Sequence, residues 1–574
     1  MHQRLVVTVV TALAVPTLLA AQQHASPAIV PQPDAKLPLT HVPQPTVPAI
    51  TAADLMTRLY IYAADSMQGR EAGTIGDVRA TDYIAAEVQR MGLVPAGDSG
   101  TYFQTIPLMT RAVDSSSRVA AGGTPLVYGA DWAASGSGSL SGNDLPVVYG
   151  GPLNEAAALP ADRVKGKLVV YGQPSGRMSR RLFGDVAQLG DSAAAVGVVI
   201  PASFLRFLRR PRMFLQESPA VAAPAERPVV FFTAEAAASL FGMPVEQLNA
   251  GAAGKPVSLD VNIQVTPVAY PARNVVGILP GSDPALRGEY VAIGAHNDHI
   301  GFNRNPVDHD SLRIFNHVVR PGGAEDAGAQ ATPRQQAEVN RELAAFRQRH
   351  PHSERLDSID NGADDDGSGT VAELEVAQQL ASLQPAPKRS ILFVWHTGEE
   401  KGLLGSAYFT DHPTVPLDSI VAQLNMDMVG RGDAWDVTGH DIKGATLHGG
   451  PNYLMLVGSR RLSTELGDLI ETVNTEDHHG LVLDYSFDAN GHPDNIYCRS
   501  DHYEYARWGI PITFFTTGLH SDYHQVTDEP EYIDYEHMAR VAQLVEDVAV
   551  HVANLDHRVV VDHPKPDPHG ACRQ

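Results

Sequence analysis

Tyr290-Val-Ala-Ile-Gly-Ala-His296-Asn-Asp298 is an apolar run that stops at a histidine and an aspartate. Phe393-Val-Trp-His-Thr-Gly-Glu399-Glu400 repeats the pattern with two carboxylates, and Leu424-Asn-Met-Asp427 repeats it with one. Short apolar runs without polar alternation read as strands buried on both faces, the mark of a parallel sheet covered by helices. In open α/β sheets, ligands bind beyond the carboxyl ends of the strands. Three strands therefore deliver histidine and carboxylate groups to one edge. Val275–Leu279 and Ile512–Thr516 are further strand runs. Val371–Leu383 and Gly405–Phe409 read as helices, and Met538, Val541, Val545, Val548 and Val552 step along one helical face. The expected fold class is α/β: a mixed, mostly parallel sheet sandwiched by helices.

Upstream, Thr51 caps a helix that runs through Tyr62, and a second helix fits Val78–Met91 with Gly92 as its stop. Residues from about 140 to 262 differ in texture. Pro146–Tyr149, Lys167–Tyr171, Val196–Ile200 and Pro228–Thr233 are β runs between Ala-rich stretches, with no cluster of His and acids. They read as an inserted α+β module. Arg4, the apolar run Leu5–Ala21 and its small terminal residues describe a secretory signal over residues 1–21. Residues 22–48 are Pro-rich, a linker or pro-segment. The tail after Leu555 carries His, Asp and Pro and is expected to be loosely ordered.

The chain has 574 residues, with 43 Lys+Arg against 66 Asp+Glu, a net charge of −23. That balance argues against nucleic acid or an anionic membrane as the main partner, because both reward surplus Lys and Arg. Two cysteines exclude a disulfide scaffold and a Cys-rich zinc module. Any metal must be held by His, Asp and Glu. No stretch after the signal is long and apolar enough to span a bilayer, so the mature protein is expected outside the cytoplasm, secreted or periplasmic.

Asn361-Gly-Ala-Asp364-Asp365-Asp366-Gly-Ser-Gly369 is an acidic loop that opens a helix, and His520-Ser-Asp-Tyr523-His524-Gln-Val-Thr-Asp528 lies near the end. Singly, each acid is as well read as a helix cap or surface charge. Asp364 is expected to shape its loop and Asp366 to cap the helix. His396 and His520 read as wall or surface residues. Asp308-His309-Asp310 and Glu476-Asp477-His478-His479 read as solvated loop charges. Phe204–Arg212 reads as a folded stretch with solvated Arg heads. Ser500 lacks the G-x-S-x-G elbow of a serine hydrolase.

Together these stretches resemble the M28 family of zinc aminopeptidases. The resemblance covers residues from about 50 to 555. It rests on AHNDH (295–299), NGADDDGSG (361–369), HTGEEKGLLGS (396–406), NMDMVG (425–430), RSDH (499–502) and DYHQVTD (522–528). Asp65-Ser-Met-Gln-Gly-Arg70-Glu-Ala-Gly-Thr74 is similar to the family's N-terminal segment. The inserted module resembles a protease-associated (PA) domain through Val164–Val170 and Ala193–Ile200. The chain then divides into an N-terminal peptidase part (49–135), a PA-like domain (136–265), a catalytic domain (266–556, with an insertion at about 302–358) and a flexible tail (557–574).

The resemblance implies two Zn²⁺ ions per chain. His296 and Asp427 would bind one, and Glu400 and His524 the other. The bridging acid lies four residues before the Gly that closes the loop. With Gly369 as that Gly the position is Asp365; a slip of one residue would select Asp364. Asp298 would orient His296, Glu399 would be the general base, and Tyr523 would polarise the substrate carbonyl. The implied partner is a peptide cleaved at its N-terminus. A dipeptidase or carboxypeptidase of the same fold is the alternative, with Arg431 or Arg499 as the cation for a terminal carboxylate. A non-catalytic receptor is disfavoured because every ligand position is intact. The Cys498–Cys572 pairing is left open.

Overall fold

The apolar runs that end at His296, near Glu399 and at Asp427, with Val275–Leu279 and Ile512–Thr516, fall on strands of one mixed sheet in the computed structural model. The model describes residues 37–153, 159–173, 192–209, 211–216, 228–326, 328–351, 354–432 and 436–574. The expected signal segment and residues 22–36 of the linker lie outside the described residues. Nine strands of the sheet fall among the described residues: β1 (Val94–Pro95), β2 (Phe103–Ile106), β3 (Ala272–Leu279), β4 (Tyr290–His296), β5 (Ser390–His396), β6 (Ile420–Met426), β7 (Tyr453–Val457), β8 (Val482–Asp484) and β9 (Ile512–Thr516). Their order is β1-β3-β5-β4-β6-β9-β7-β8, with β2 also paired to β3. The central pairs β5–β4, β4–β6 and β6–β9 are parallel. Register makes these strands end level. His296 lies beside His396, and Gly294 lies beside Asn425, which brings His296 level with Asp427.

Alternation along β5 divides the core into two faces, as a two-residue strand period requires. Ile391, Phe393 and Trp395 pack with helices α1 (Ala52–Tyr62), α2 (Ile75–Met91), α3 (Gly369–Ser382), α4 (Thr464–Glu476) and α5 (Tyr535–Asn554). Leu392 and Val394 pack on the other side with Phe409, Tyr505 and Phe514. The ladder from Met538 to Val552 is buried along α5. Thr51 caps α1 by accepting from the Asp54 N–H, and Gly92 ends α2 in the left-handed region at φ 82°. The fold is the expected α/β class. The sequence reading missed β1, β2, β7 and β8, none of which is longer than five residues.

A second sheet has ten strands among the described residues, from Leu108 to Pro267. The four β runs of the inserted module fall on its strands Gly138–Pro152, Leu168–Gly172, Ala195–Val199 and Val229–Phe232. The sheet also takes in Leu108–Val113, Arg118–Ala121, Thr124–Leu126 and Trp132–Ser135, which precede residue 136. Phe204–Arg212 spans most of the helix Ala202–Leu208 and the start of strand Arg212–Leu215.

The insertion beside β4 is a built element. Gly301–Asp308 pairs antiparallel with Leu356–Asp360, and helices His309–Val319 and Pro333–Arg349 lie between them. A capping box of Thr332 and Gln335 starts the second helix. Arg313 Nη1 donates to Asp522 Oδ2 at 2.7 Å, and Asn316 Nδ2 donates to Gln525 Oε1 at 3.1 Å. The insertion therefore braces the loop that carries His524.

The tail after Leu555, expected to be loose, is fastened instead. Cys572 forms a disulfide with Cys498, and Gln574 Oε1 accepts the Tyr497 N–H at 3.0 Å. Arg507 Nη1 donates to the Pro568 carbonyl at 3.1 Å. Composition could not show these anchors, because each partner lies far away in sequence. Removing the cross-link by Cys498→Ser with Cys572→Ser opens a loop with a separation of 74 residues. We expect a loss of about 2–4 kcal/mol, read from urea unfolding without reductant; an unchanged midpoint would contradict a stabilising role.

Candidate metal centre

Four strand ends and one helix-opening loop meet at the site. β4 ends at His296, and β6 is followed directly by Asp427. After β5 the chain turns at Gly398, whose left-handed φ of 72° disfavours a side chain, and Glu399 and Glu400 follow in a single 3₁₀ turn. After β9 a loop brings round His524, which itself holds a left-handed φ of 57°. Such conformations concentrate at functional positions.

Asp365 lies between two groups of ligand-type side chains. His296 Nε2 is 3.1 Å from Asp365 Oδ1 and 3.7 Å from Asp427 Oδ1. His524 Nε2 is 3.1 Å from Asp365 Oδ2 and 3.0 Å from Glu400 Oε2. His299 Nδ1 is 2.9 Å from Glu400 Oε1. The result is one set of His296, Asp365 and Asp427 and another of His299, Asp365, Glu400 and His524, each with donor atoms within 4.8 Å of one another.

The donor atoms fit metal ions. His296 Nε2, His299 Nδ1, Asp365 Oδ2, Glu400 Oε1 and His524 Nε2 are buried and have no hydrogen-bond partner. A buried polar atom left unpaired costs about 1–3 kcal/mol, so this concentration at one place calls for cations. Imidazole and carboxylate are the donor types that zinc accepts, and a shared carboxylate suits a pair of ions.

Electrostatics point the same way. Burial opposes charge on His296 and His524, yet the surrounding carboxylates, led by Asp427 at His296 and Glu400 at His524, hold both well above the ordinary imidazole range. Burial would raise Asp365, but the three imidazoles overcome it and hold this carboxyl well below its usual range. Burial pushes Glu399 well above the usual carboxylate range; His296 pulls against this, and Asp427 and Glu400 add to it.

Every acid of the Asp364–Asp366 run is buried and tied to a different element. Asp364 Oδ1 accepts the Gly430 N–H at 2.7 Å, and its Oδ2 is 3.1 Å from His520 Nε2. Asp366 accepts the N–H groups of His296, Gly369 and Met428. It caps α3, as read from sequence, and also pins the ends of β4 and β6. Asp528 accepts the N–H groups of Asp364 and Asp365 at 3.0 and 3.1 Å. Arg70 Nη2 donates to the Gly362 carbonyl at 2.8 Å, so the N-terminal segment holds the mouth of the same loop.

The structure brings together His296, Asp365, Glu399, Glu400, Asp427 and His524. Asp298 is placed differently from the expectation. Its backbone carbonyl, not its carboxylate, receives His296 Nδ1–H at 3.0 Å, while its Oδ1 accepts the Glu399 N–H at 3.0 Å. The carboxylate lies 3.8 Å from His296 Nδ1, because it is turned toward the Glu399 loop. Tyr523 stacks on His524 with ring centroids 3.8 Å apart. His299 and Asp528 were missed as site residues. Both stand within the quoted AHNDH and DYHQVTD stretches, but single residues there give no sign of where they point.

His396 and His520 are fully buried, not surface residues: His396 Nε2 meets Tyr505 Oη at 2.9 Å, and His520 supports Asp364. Of the two polar stretches read as solvated, Glu476, Asp477 and His478 are exposed as expected, whereas Asp308-His309-Asp310 and His479 are not. Asp308 pairs with Arg347, and His309 stacks on Tyr532. His479 is largely buried and pairs with Asp547 of α5 at 2.9 Å. Tertiary packing, invisible locally, covers Asp308, His309 and His479.

Beside Glu399 and Asp427 opens a pocket walled by Met428, Phe487, Ile496, Phe514 and Leu519, with Arg499 and Tyr523 at its polar side. Arg431 is occupied by Asp436 and Asp522 at 2.9 and 3.2 Å. Asp528→Asn removes one acceptor from the backbone that aims Asp365. We expect zinc affinity to fall about 10–100-fold in competition with a chromophoric chelator; unchanged affinity would mean the loop holds itself.

Residues 274–549 match the profile described as Peptidase family M28. Leucine aminopeptidase 1 of Trichophyton rubrum is 29% identical over 189 residues, 32% of this chain and 46% of that protein. Leucine aminopeptidase 1 of Paracoccidioides brasiliensis (strain Pb18) is 32% identical over 193 residues, 32% of this chain and 44% of the relative. The chain spans about half the length of these curated relatives. The solved aminopeptidase from Aneurinibacillus sp. strain AM-1 shares the fold, with a TM-score of 0.51 at 16% identity over 90% of this chain and 97% of the other. Peptidase family M28 is thus the family that residues 274–549 of this chain match.

Proposed function

We propose that this protein is an exported zinc aminopeptidase that removes N-terminal residues from peptides. The observation that carries the reading is Asp365 set between His296 with Asp427 on one side and His524 with Glu400 on the other. The names of the relatives, leucine aminopeptidases, agree with it. Zinc bound to these residues supplies Lewis-acid polarisation of the peptide carbonyl and acidifies a water near neutral pH.

Glu399 is the general base. Its Oε2 lies 3.9 Å from His296 Nε2, next to the ligand set, and Asp298 holds its backbone N–H. Glu399 takes a proton from the attacking water as the new C–O bond forms. It then delivers that proton to the amine nitrogen as the C–N bond breaks. Tyr523 Oη, 3.5 Å from Arg499 Nη2, is placed to polarise the carbonyl.

The apolar pocket beside Glu399 and Asp427 supports a preference for a large apolar N-terminal side chain. Arg499 at its polar side favours one second reading, a dipeptidase that also engages the substrate's carboxylate. Export agrees with the Cys498–Cys572 disulfide, which persists in oxidising compartments. No helix among the described residues is long and apolar enough to cross a membrane.

A panel of free and N-acetylated peptides tests the reading. We expect cleavage of Leu- and Phe-initiated peptides and none of their blocked forms. Equal cleavage of blocked peptides would refute the aminopeptidase reading, and cleavage confined to dipeptides would favour the second one. Chelation should abolish turnover and zinc should restore it. Glu399→Gln should keep its metal content and lose about 10²–10⁴-fold in turnover; near-normal turnover would remove Glu399 as the base.

A further inference from the structure

His299 stands out among the buried groups at this site. Its side chain is fully buried, and neither ring nitrogen has a hydrogen-bond partner. Nδ1 comes within 2.9 Å of Glu400 Oε1 and 3.7 Å of Asp365 Oδ2. Yet Nδ1 and Glu400 Oε1 do not line up as a hydrogen bond, and both remain unpartnered. His296 Nε2 and His524 Nε2 approach their carboxylates in the same manner, close but unbonded. His299 thus has the geometry of the two recognised ligand histidines.

The ring is held in place by its surroundings. The His299 N–H donates to the Arg70 carbonyl at 3.2 Å. Gly362, at φ 55°, lies against the ring, and a Cβ there would come within 2.6 Å of His299 Cδ2. The His524 ring stands 5.6 Å away, edge to face. A backbone position that admits only glycine, pressed against a buried imidazole, fixes where Nδ1 points.

We propose that His299 is a fourth protein ligand, through Nδ1, to the ion held by Asp365, Glu400 and His524. The inference rests on the metallopeptidase reading and adds an asymmetry to it. One ion receives four protein donors, and the other receives three, from His296, Asp365 and Asp427. A zinc site with four protein ligands is closed, whereas one with three keeps a position for water or substrate. The open position then falls on the His296 side, where Glu399 also stands. Zinc held by His299, Asp365, Glu400 and His524 would then organise the site, and zinc held by His296, Asp365 and Asp427 would supply the Lewis acid nearest Glu399.

Zinc titration of the full chain, with His299→Ala and His299→Gln alongside, tests this. The wild type should bind two ions, one more tightly, and that tighter affinity should fall at least about 10-fold in both variants. Gln can still donate a hydrogen bond to Glu400, so wild-type affinity in His299→Gln would reduce His299 to a positioning residue and overturn the proposal. A second readout needs no variant. In the Co²⁺-loaded wild type, proton NMR should show hyperfine-shifted imidazole signals from His296, His299 and His524; signals from His296 and His524 alone would overturn the assignment. A wild type that binds no zinc would instead refute the metallopeptidase reading itself.

Discussion

Everything at this site depends on the compensation of buried charge around Asp365. Its two oxygens face two different histidines. The acids on either side serve as struts: Asp364 holds the backbone at Gly430, and Asp366 holds the ends of β4 and β6 and the start of α3. Hydrogen bonds to charged acceptors are the stronger kind. The two flanking acids therefore fasten separate strand ends around Asp365.

The remaining architecture presses on the same loops from outside. Asp522, two residues before His524, is buried between Arg313 of the insertion and Arg431 beyond β6. Breaking a buried pair by removing one partner costs about 3–5 kcal/mol, so this arrangement strongly constrains the His524 loop. At the other end of the pocket, Phe487 and Ile496 are backed by the C-terminal tail through the disulfide and Gln574. Among the described residues, neither the insertion nor the tail adds a side chain to the two groups of histidines and carboxylates around Asp365. They set the stiffness of the walls around it.

Much of the fold was legible because its signals are local. β4, β5, β6 and β9 are continuous apolar runs, and α5 carries an unbroken apolar face, so each announces itself within one window of sequence. β8 escaped because a three-residue strand at the sheet edge needs few apolar residues, whereas β7 is an apolar run, Tyr453-Leu-Met-Leu-Val457, as short as an isolated loop segment. The insertion could be bounded but not built, since its ribbon pairs Gly301–Asp308 with a strand about fifty residues later.

By itself the sequence determined which side chains stand at the strand ends and in what order, because chain connectivity and the two-residue strand period place them there. It also determined that metal donors had to be imidazole and carboxylate. Only the tertiary structure decided which of the many His and Asp residues face one another. It joined His299 to Glu400, turned the Asp298 carboxylate toward Glu399, and put His520 behind Asp364. Those pairings depend on the packing of segments about one hundred to more than one hundred and fifty residues apart. A side chain's direction in such packing is set by its neighbours in space, which no local stretch of sequence encodes.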